Sequence, residues 1–393
     1  MYPNLYYAFK DLFGVEIEFL KMFQSFGFFV AVAFFLAGYF FTLELKRKEK
    51  DGLLKPVPKQ ALRNQKITPA DYAISALIGI ILGYKLVYIG LNFHAFLENT
   101  QTYILSLKGN LLGGLIGGAI ASYLKFREAQ KVKGKEPVLE SIELHPYEHV
   151  GSMTTIAALA GILGAKIFHN LENWGDFMAD PIGSIFSFSG LTMYGGLICG
   201  SAAVIYYANK NKIAVRPLID ACAPGLMLAY GVGRFGCQIA GDGDWGINNL
   251  APKPSWLSFL PDWTWSYTYP HNVLHENQLN PIPGCTDGPY CFALQYPVFP
   301  TALYEATTCI LLFFVLWSLR KKIQTPGVLF STYLVMNGVE RFFIEKIRIN
   351  TQYHIFGFGI TQAEIISSTL FILGVIGIWW FRKNRSAPAT AKD

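Results

Sequence analysis

The chain of 393 residues is too apolar for a water-soluble protein: 52% of its residues are hydrophobic and 15% are charged, whereas soluble domains carry about 25% charged residues. Its apolar residues form blocks of roughly 17 to 25 residues, the length of a helix that crosses a bilayer. This composition excludes a soluble domain and predicts an all-α polytopic membrane protein. The net charge of +6 does not indicate nucleic-acid binding, because the basic residues lie in short clusters between the apolar blocks.

Nine apolar blocks are predicted to be membrane-spanning helices. In chain order they cover residues 22–43, 72–92, 109–124, 152–169, 190–207, 217–235, 301–319, 327–344 and 361–381. Most basic residues follow the first, third, fifth, seventh and ninth blocks, beginning at Lys46, Lys125, Lys210, Arg320 and Arg382. Because basic loops remain in the cytoplasm, the N-terminus is predicted to lie outside and the C-terminus inside.

Residues 1–21 precede the first block and carry Asp11, Glu16 and Glu18, where a cleavable signal peptide would have a basic start. The first block is therefore predicted to stay in the mature protein. The aromatic-rich stretch is interpreted as a helix on the outer membrane surface. A disordered tail is the alternative.

Two predicted helix pairs, residues 72–125 and 152–208, resemble each other. The stretch Ala76–Lys85 matches Ala157–Lys166 at an offset of 81 residues, and a second glycine-rich block matches further along. This pattern predicts an internal repeat in a single membrane domain of residues 1–393. Chance similarity between glycine-rich membrane sequences is the alternative.

The second copy carries Tyr194 before its glycine pair, Gly195 and Gly196, where the first copy has Leu112. Leucine has no proton to transfer, so the first copy is interpreted as a scaffold in which Leu112 acts through buried packing alone. Ordinary small-residue helix packing is the alternative role of the glycines. His169, near the end of a span in the second copy, is a reserve candidate for proton transfer.

Ionisable residues in or beside membrane helices are functional candidates because they are costly to bury. Arg234 ends the sixth block, and Arg341, Glu345 and Arg348 end the eighth. An arginine fork suits a phosphate group, so the clusters are interpreted as a clamp for an anionic lipid head group. Alternatively, Arg341 merely pairs with Glu345 at helical spacing and Arg234 snorkels to the interface.

Residues 247–299 form a long loop predicted to be extracytoplasmic. Cys285 and Cys291 lie in this loop and are predicted to form a disulfide in an oxidising compartment. The seven histidines are scattered and no Cys-x-x-Cys motif occurs, so neither a metal site nor a cofactor is predicted.

Gly233–Gly246 resembles the signature of the prolipoprotein diacylglyceryl transferase family, Gly-Arg-x-Gly-Asn-x-x-x-Gly-Glu-x-x-Gly. Other motifs fall in the family's order: Tyr194–Gly196 is similar to His-Gly-Gly, Pro300–Glu305 to Pro-Ser-x-Leu-Tyr-Glu, and Arg341–Arg348 to Arg-Phe-x-x-Glu-x-x-Arg. The segment Gly359–Gln362 opens the last span as it does in the family. The resemblance covers about residues 150–381 and the first block. The family's seven spans plus one duplicated pair would give the nine predicted here.

The resemblance implies transfer of a diacylglyceryl group from phosphatidylglycerol to the lipobox cysteine thiol of a prolipoprotein signal peptide, at the bacterial cytoplasmic (inner) membrane. It implies that Arg234 and Arg341 hold the phosphate and stabilise the leaving glycerol phosphate, with support from Glu305, Glu345 and Arg348. Further substrate-binding candidates are Gly195, Gly196, Cys237, Gly241, Asp242, Asp244, Gly246, Tyr304 and Asn337.

Four positions depart from the family pattern. Tyr194 replaces a histidine, Cys237 an asparagine, Asn337 a tyrosine, and Asp242 or Asp244 a glutamate. A thiol with a pKa of about 8.5 needs little help to ionise beside cations, so loss of the histidine need not abolish activity. Tyrosine, with a pKa of about 10, is a poor base but can hydrogen-bond a head group.

Two other functions remain open on the sequence. A transporter or lipid flippase is one, since parallel repeats are common in transporters, although it would place polar groups near the bilayer midplane. A catalytically inactive lipid-binding relative is the other, suggested by the substitutions at Tyr194 and Cys237.

Overall fold

The computed structural model describes residues 1–64, 66–98, 103–104, 106–187, 190, 192–274, 279–350, 352–355 and 358–384. Parts of the first repeat copy, of the second and of the loop 247–299 therefore lie outside the described residues. The helices are α1 (Leu5–Phe13), α2 (Ser25–Lys50), α3 (Pro69–Leu91), α4 (Phe93–Glu98), α5 (Leu111–Val132), α6 (Val150–Glu172), α7 (Trp174–Ala179), α8 (Pro181–Phe186), α9 (Met193–Lys210), α10 (Val215–Ala240), α11 (Thr301–Leu319), α12 (Val328–Glu345) and α13 (Gln362–Lys383). Short antiparallel pairs are formed by β1 (Val57–Arg63) with β2 (Val138–Leu144), β3 (Leu279–Pro281) with β4 (Phe292–Leu294), and β5 (Gln352–Ile355) with β6 (Phe358–Thr361).

The chain is mostly helical, and a helix overlaps each apolar block that the sequence predicted to span the membrane. Within the described residues, five helices are long and apolar enough to cross a bilayer: α2, α3, Pro146–Glu172 with α6, α11 and α13. Side chains of leucine and isoleucine are widely exposed on these helices, as lipid-facing surfaces require. The architecture is therefore that of a helical membrane protein.

Local sequence fixes where several helices begin and end. At the start of α13, Thr361 Oγ1 accepts a hydrogen bond from Glu364 N at 3.2 Å, and Thr361 N donates to the Glu364 carboxylate at 2.9 Å. This reciprocal capping satisfies two backbone donors that a helix start would leave unpaired. Helix α10 ends at Gly241, which adopts φ +66°. Glycine enters this left-handed conformation with little strain, so it commonly ends a helix.

One compact unit comprises Met1–Lys55, His145–Met178 and Leu191–Asp393. Its central helix is α10, which packs against α2, α11 and α12. Met227 on α10, Cys309 on α11 and Leu329 on α12 are completely buried in the same apolar cluster. This packing brings the C-terminal end of α10, the start of α11 and the end of α12 together.

The second unit comprises Pro56–Leu144 and Ala179–Gly190. Its helices α3 and α5 cross at glycines: a Cβ atom at Gly83 would collide with the backbone carbonyl of Gly113. In the first unit, α6 and α9 make a similar contact, because a Cβ at Gly164 would lie 2.5 Å from the Gly195 carbonyl. The close crossing thus occurs at the positions that the predicted repeat equates.

Leu112 does not have the buried position expected from the sequence, since 65% of its surface is exposed. Hydropathy cannot separate a leucine that faces lipid from one that faces protein, because the two environments are similarly apolar. The expectation of buried packing at Leu112 is therefore wrong.

The N-terminal segment contains a helix, α1, and is hydrogen-bonded to other parts of the first unit. Tyr2 N donates to the Ile239 carbonyl at 2.8 Å, and the Met1 amino group donates to the Pro270 carbonyl at 2.8 Å. In the loop 247–299, Cys285 and Cys291 form a disulfide.

Candidate active site

Three helix ends supply the charged residues of the candidate site. Arg234 lies in the last two turns of α10, Glu305 in the second turn of α11, and Arg341 in the last two turns of α12. The packing of α10 between the other two helices makes these ends adjacent. Glu305 is completely buried, and the two arginine side chains are 12% and 16% exposed.

Glu305 is the centre of the charged cluster. Its Oε2 atom lies 2.5 Å from Arg234 Nε, and its Oε1 atom lies 2.5 Å from Arg341 Nη1 and 3.4 Å from Arg348 Nη1. One buried carboxylate therefore holds three guanidinium groups around a common point. Arg234 is largely buried and forms ion pairs with both Glu305 and Asp244.

A loop that follows α10 adds a second carboxylate to the arginines. Asp244 forms ion pairs with both Arg234 and Arg348. The loop reaches Arg348 because Gly246 lies against the backbone of Ile347, where a Cβ atom would collide with the carbonyl. Thr301 Oγ1 also donates to the Asp244 carbonyl at 2.8 Å, which ties the loop to the start of α11.

The two aspartates of this loop have opposite pKa shifts. Burial raises the pKa of Asp244, but the guanidinium groups of Arg234 and Arg348 outweigh burial and hold it below the usual range. Burial and the neighbouring Asp244 carboxylate raise the pKa of Asp242. The side chains of Cys237, Asp242 and Asp244 each place one potential metal-ligand atom within 4.8 Å of the others. Asp244 is paired with the guanidinium groups of Arg234 and Arg348.

Arg341 also pairs with Glu345 one helical turn away, as its spacing suggested. Arg341 Nη2 lies 3.0 Å from Glu345 Oε2, and Asn350 Nδ2 donates to Glu345 Oε1 at 2.6 Å. Glu345 is only 3% exposed. Its charge is therefore matched by one cation and one amide.

A pocket of about 250 Å³ opens beside Arg341. Its lining residues are Tyr194, Arg341, Glu345, Asn350, Tyr353, Thr361, Gln362 and Ala363. The structure thus brings Tyr194, the residue in place of a histidine, to the same pocket as one arginine of the predicted clamp. A polar pocket beside clustered guanidinium groups can receive a phosphate ester.

Other predicted residues have positions that serve the site indirectly. The Cys237 thiol lies 3.9 Å from Arg234 Nη1. Tyr304 donates its hydroxyl hydrogen bond to the Thr264 carbonyl at 2.8 Å, so it holds the loop 247–299. Gly195 and Gly196 are in close contact with α6 and position the start of α9.

Two candidates lie away from the pocket lining. His169 Nδ1 lies 3.2 Å from the Asn173 amide nitrogen one turn later on α6, and His169 does not line the pocket. Asn337 is half-buried on α12, one turn before Arg341, and is also not part of the lining.

The sequence analysis did not predict a site role for several residues at or beside the pocket, although Gln362 belongs to the family-like segment Gly359–Gln362. Asn350, Tyr353 and Gln362 line the pocket, and Glu340 is a buried neighbour of Arg341. Neither carboxylate oxygen of Glu340 has a hydrogen-bond partner within the part of the chain that the structure describes. Its charge within an apolar block was a usable signal, because such residues are costly to bury.

Comparison with known proteins gives a family match. The model of the family described as prolipoprotein diacylglyceryl transferase matches residues 135–380. This range contains α6 to α12 and most of α13, and therefore Arg234, Glu305, Arg341 and Tyr194.

Several relatives carry the name phosphatidylglycerol–prolipoprotein diacylglyceryl transferase. The protein of Corynebacterium efficiens is 28% identical over 280 residues, which cover 70% of this chain and 78% of the relative. The protein of Enterococcus faecalis is 28% identical over 272 residues, which cover 68% and 84%. The protein of Dehalococcoides mccartyi is 25% identical over 244 residues, which cover 61% and 80%.

Proposed function

We infer, because the chain belongs to the prolipoprotein diacylglyceryl transferase family, that it transfers the diacylglyceryl group of phosphatidylglycerol to the lipobox cysteine thiol of prolipoproteins. The observation that carries this proposal is the cluster of Arg234, Arg341 and Arg348 around one buried glutamate, beside a polar pocket. A transporter or flippase is not favoured, because the family match covers the site.

The reaction exchanges one bond for another at a glycerol carbon of the lipid. The thiol sulfur forms a bond with that carbon, the carbon–oxygen bond to the phosphate breaks, and its electron pair stays on the phosphate oxygen. The thiol proton is released, and glycerol phosphate leaves. Negative charge therefore grows on the phosphate, and in this proposal Arg234 and Arg341 stabilise it.

Glu305 has a positioning role in this proposal. Three guanidinium groups at short range repel each other unless an anion lies between them. Glu305 contacts all three and is completely buried, so it fixes their positions before the lipid binds. Because the cations are already in place, they need not move when charge develops on the phosphate, and no energy is spent on rearranging them.

Tyr194 replaces a histidine as a hydrogen-bond donor rather than as a base. A phenol ionises too weakly to remove a thiol proton near neutral pH. A cysteine thiol next to the arginines ionises with little help, because cations stabilise its thiolate. Tyr194 then orients the phosphate or head group in the pocket.

The membrane arrangement is part of the proposal. With nine spans, the N-terminus outside and the C-terminus cytoplasmic, the end of α10, the start of α11 and the end of α12 lie at the outer face of a bacterial cytoplasmic (inner) membrane. Secreted precursors arrive at that face, and the basic loops lie at the other. The first repeat copy is a scaffold, and the loop 247–299 is extracytoplasmic.

The test is a transfer assay with purified full-length protein, phosphatidylglycerol and a peptide with a lipobox cysteine. We expect the peptide to gain the mass of a diacylglyceryl thioether. A peptide with serine in place of that cysteine is the control and should gain nothing. If neither peptide is modified while the protein still binds the lipid, the chain is an inactive lipid-binding relative and the proposed activity is wrong.

A further inference from the structure

The pocket beside Arg341 has a second wall, formed by residues that follow the Arg341–Arg348 segment along the chain. Asn350 precedes β5, Tyr353 lies on β5, and Gln362 follows β6 at the start of α13. The antiparallel pairing of β5 with β6, in which Tyr353 lies opposite Ile360, returns the chain to the pocket. The three side chains therefore line one pocket although 12 residues separate the first from the last.

This wall consists of groups that both donate and accept hydrogen bonds. The amide of Gln362 and the hydroxyl of Tyr353 each supply a donor and an acceptor, and so does the amide of Asn350. The only carboxylate among the lining residues, Glu345, already pairs with Arg341 and Asn350. An ammonium group entering the pocket would therefore compete for an anion that is already neutralised, whereas hydroxyl groups could pair with the amide and phenol groups of the wall.

The size of the pocket also limits its occupant. Its volume of about 250 Å³ lies below the range of about 300–1,000 Å³ typical of sites for drug-sized ligands. A small polar head group is the appropriate size class, and the neighbouring guanidinium of Arg341 would meet its phosphate.

We propose that Asn350, Tyr353 and Gln362 bind the two hydroxyl groups of the donor lipid's terminal glycerol, and thereby select a glycerol head group over head groups without a diol. This inference rests on the proposed function for its biological meaning. A site that hydrogen-bonds a hydroxyl discriminates against a ligand that lacks it, because the site's polar groups then stay unpaired. The wall is solvent-exposed, so the discrimination is moderate.

The experiment measures binding, so that it does not depend on transfer. Glycerol phosphate and propyl phosphate, which has no hydroxyl groups, are titrated into the purified full-length protein by calorimetry. Two hydrogen bonds of about 0.5–1.5 kcal/mol each predict that glycerol phosphate binds about 5- to 160-fold more tightly. Gln362→Ala and Asn350→Ala should each lower this ratio by about 2- to 10-fold, and Tyr353→Phe should lower it by no more than that.

The matched control is Thr369→Ala, an exposed position two turns further along α13 that does not line the pocket. It should leave the ratio unchanged, whereas Arg341→Ala should weaken both ligands equally. Equal affinity of the wild-type protein for both phosphates would overturn the inference, as would a ratio that survives both amide substitutions. Failure of the transfer assay alone would affect only the proposed function.

The same variants then give a selectivity readout in membranes. With phosphatidylglycerol and phosphatidylpropanol as donors, Gln362→Ala should raise KM for the first lipid and leave kcat within about twofold. KM for the second lipid should not change. If the variants instead raise KM for the lipobox peptide, the wall binds the acceptor and the assignment to the lipid head group is wrong.

Discussion

Two buried ionic clusters lie at opposite ends of α11. Glu305 near its start holds Arg234 and Arg341, and Glu44 of α2 lies 3.3 Å from Arg320 just after its end. Both glutamates are completely buried, and about 22 Å of helix separates Glu305 from Arg320. The chemistry of the two clusters is thus nearly the same, while only one lies in the proposed active site.

The difference lies in what the arginines bind besides the glutamate. At the Glu44 cluster, Arg47 Nη2 donates to the Arg320 carbonyl at 3.1 Å, so the charges close the end of a helix. At the Glu305 cluster, Arg341 lines a pocket and Arg234 binds a loop aspartate. A buried ion pair therefore does not by itself indicate a reaction site. The proposed active site rests on the adjoining pocket as well as on the ion pairs.

The largest expected effect is loss of transfer on removal of either clamp arginine. We expect Arg234→Ala and Arg341→Ala each to lower kcat by about 10²- to 10³-fold, because each removes a cation from the place where phosphate charge develops. Single-turnover transfer to a lipobox peptide measures this. Arg320→Ala is the matched control from the other cluster, and equal losses in all three variants would erase the distinction between the clusters.

The second prediction concerns the Glu44 cluster, where the effect should fall on stability. Glu44→Ala leaves Arg47 and Arg320 without their buried partner, and we expect a loss of roughly 1–3 kcal/mol. The two arginines are 21% and 13% exposed, so water offsets part of the cost. Thermal unfolding in detergent measures the change. A variant with normal stability but slow transfer would show that this cluster takes part in the reaction.

The sequence predicted the charged residues of the site because bilayers penalise charge so strongly. Arg234, Arg341 and Glu345 stand out at the ends of apolar blocks, and the structure joins the two arginines through Glu305. The helices could also be located, because an apolar block inside a bilayer must pair its own backbone polar groups and a helix does so within one segment.

What the sequence did not predict depends on contacts between distant segments. Asn350 and Gln362 line a pocket with Tyr194 only because β5 pairs with β6 in one register, and short strands carry little hydropathy signal. The expectation that Leu112 is buried was wrong, because lipid and the protein interior are equally apolar and hydropathy cannot distinguish them. The Glu44 cluster was missed because its arginines belong to basic segments that topology alone explains.

The third prediction separates the two loop aspartates by pH. The folded-state pKa of Asp244 is lowered by Arg234 and Arg348 despite burial, so its ion pairs stabilise the protein above the ordinary aspartate pKa of about 3.9. That contribution disappears as the pH falls through the lower folded-state pKa. Asp244→Asn should therefore lower stability at pH 7 by roughly 1–2 kcal/mol and flatten its decline in acid.

Asp242→Asn should change the pH dependence of stability in the opposite direction to Asp244→Asn. Burial and Asp244 raise the folded-state pKa of Asp242, so its favourable contribution exists below the ordinary pKa and is lost as the pH rises through the raised value. The asparagine variant should be at least as stable as the wild type at pH 7. Unfolding midpoints between pH 3 and pH 7 test both variants, and parallel curves for the two would contradict the assigned pKa shifts.

The smallest effect is expected at Tyr194, where the clamp meets the pocket. Tyr194→Phe removes one hydrogen bond of about 0.5–1.5 kcal/mol, so transfer should slow by about 2- to 10-fold without stopping. His169→Ala should be silent, because this ring contacts Asn173 and does not line the pocket. Steady-state rates against pH distinguish the two, since a lost general base would also shift the pH profile. A silent Tyr194→Phe together with an inactive His169→Ala would move proton transfer to the histidine and leave the arginine cluster as a lipid anchor only.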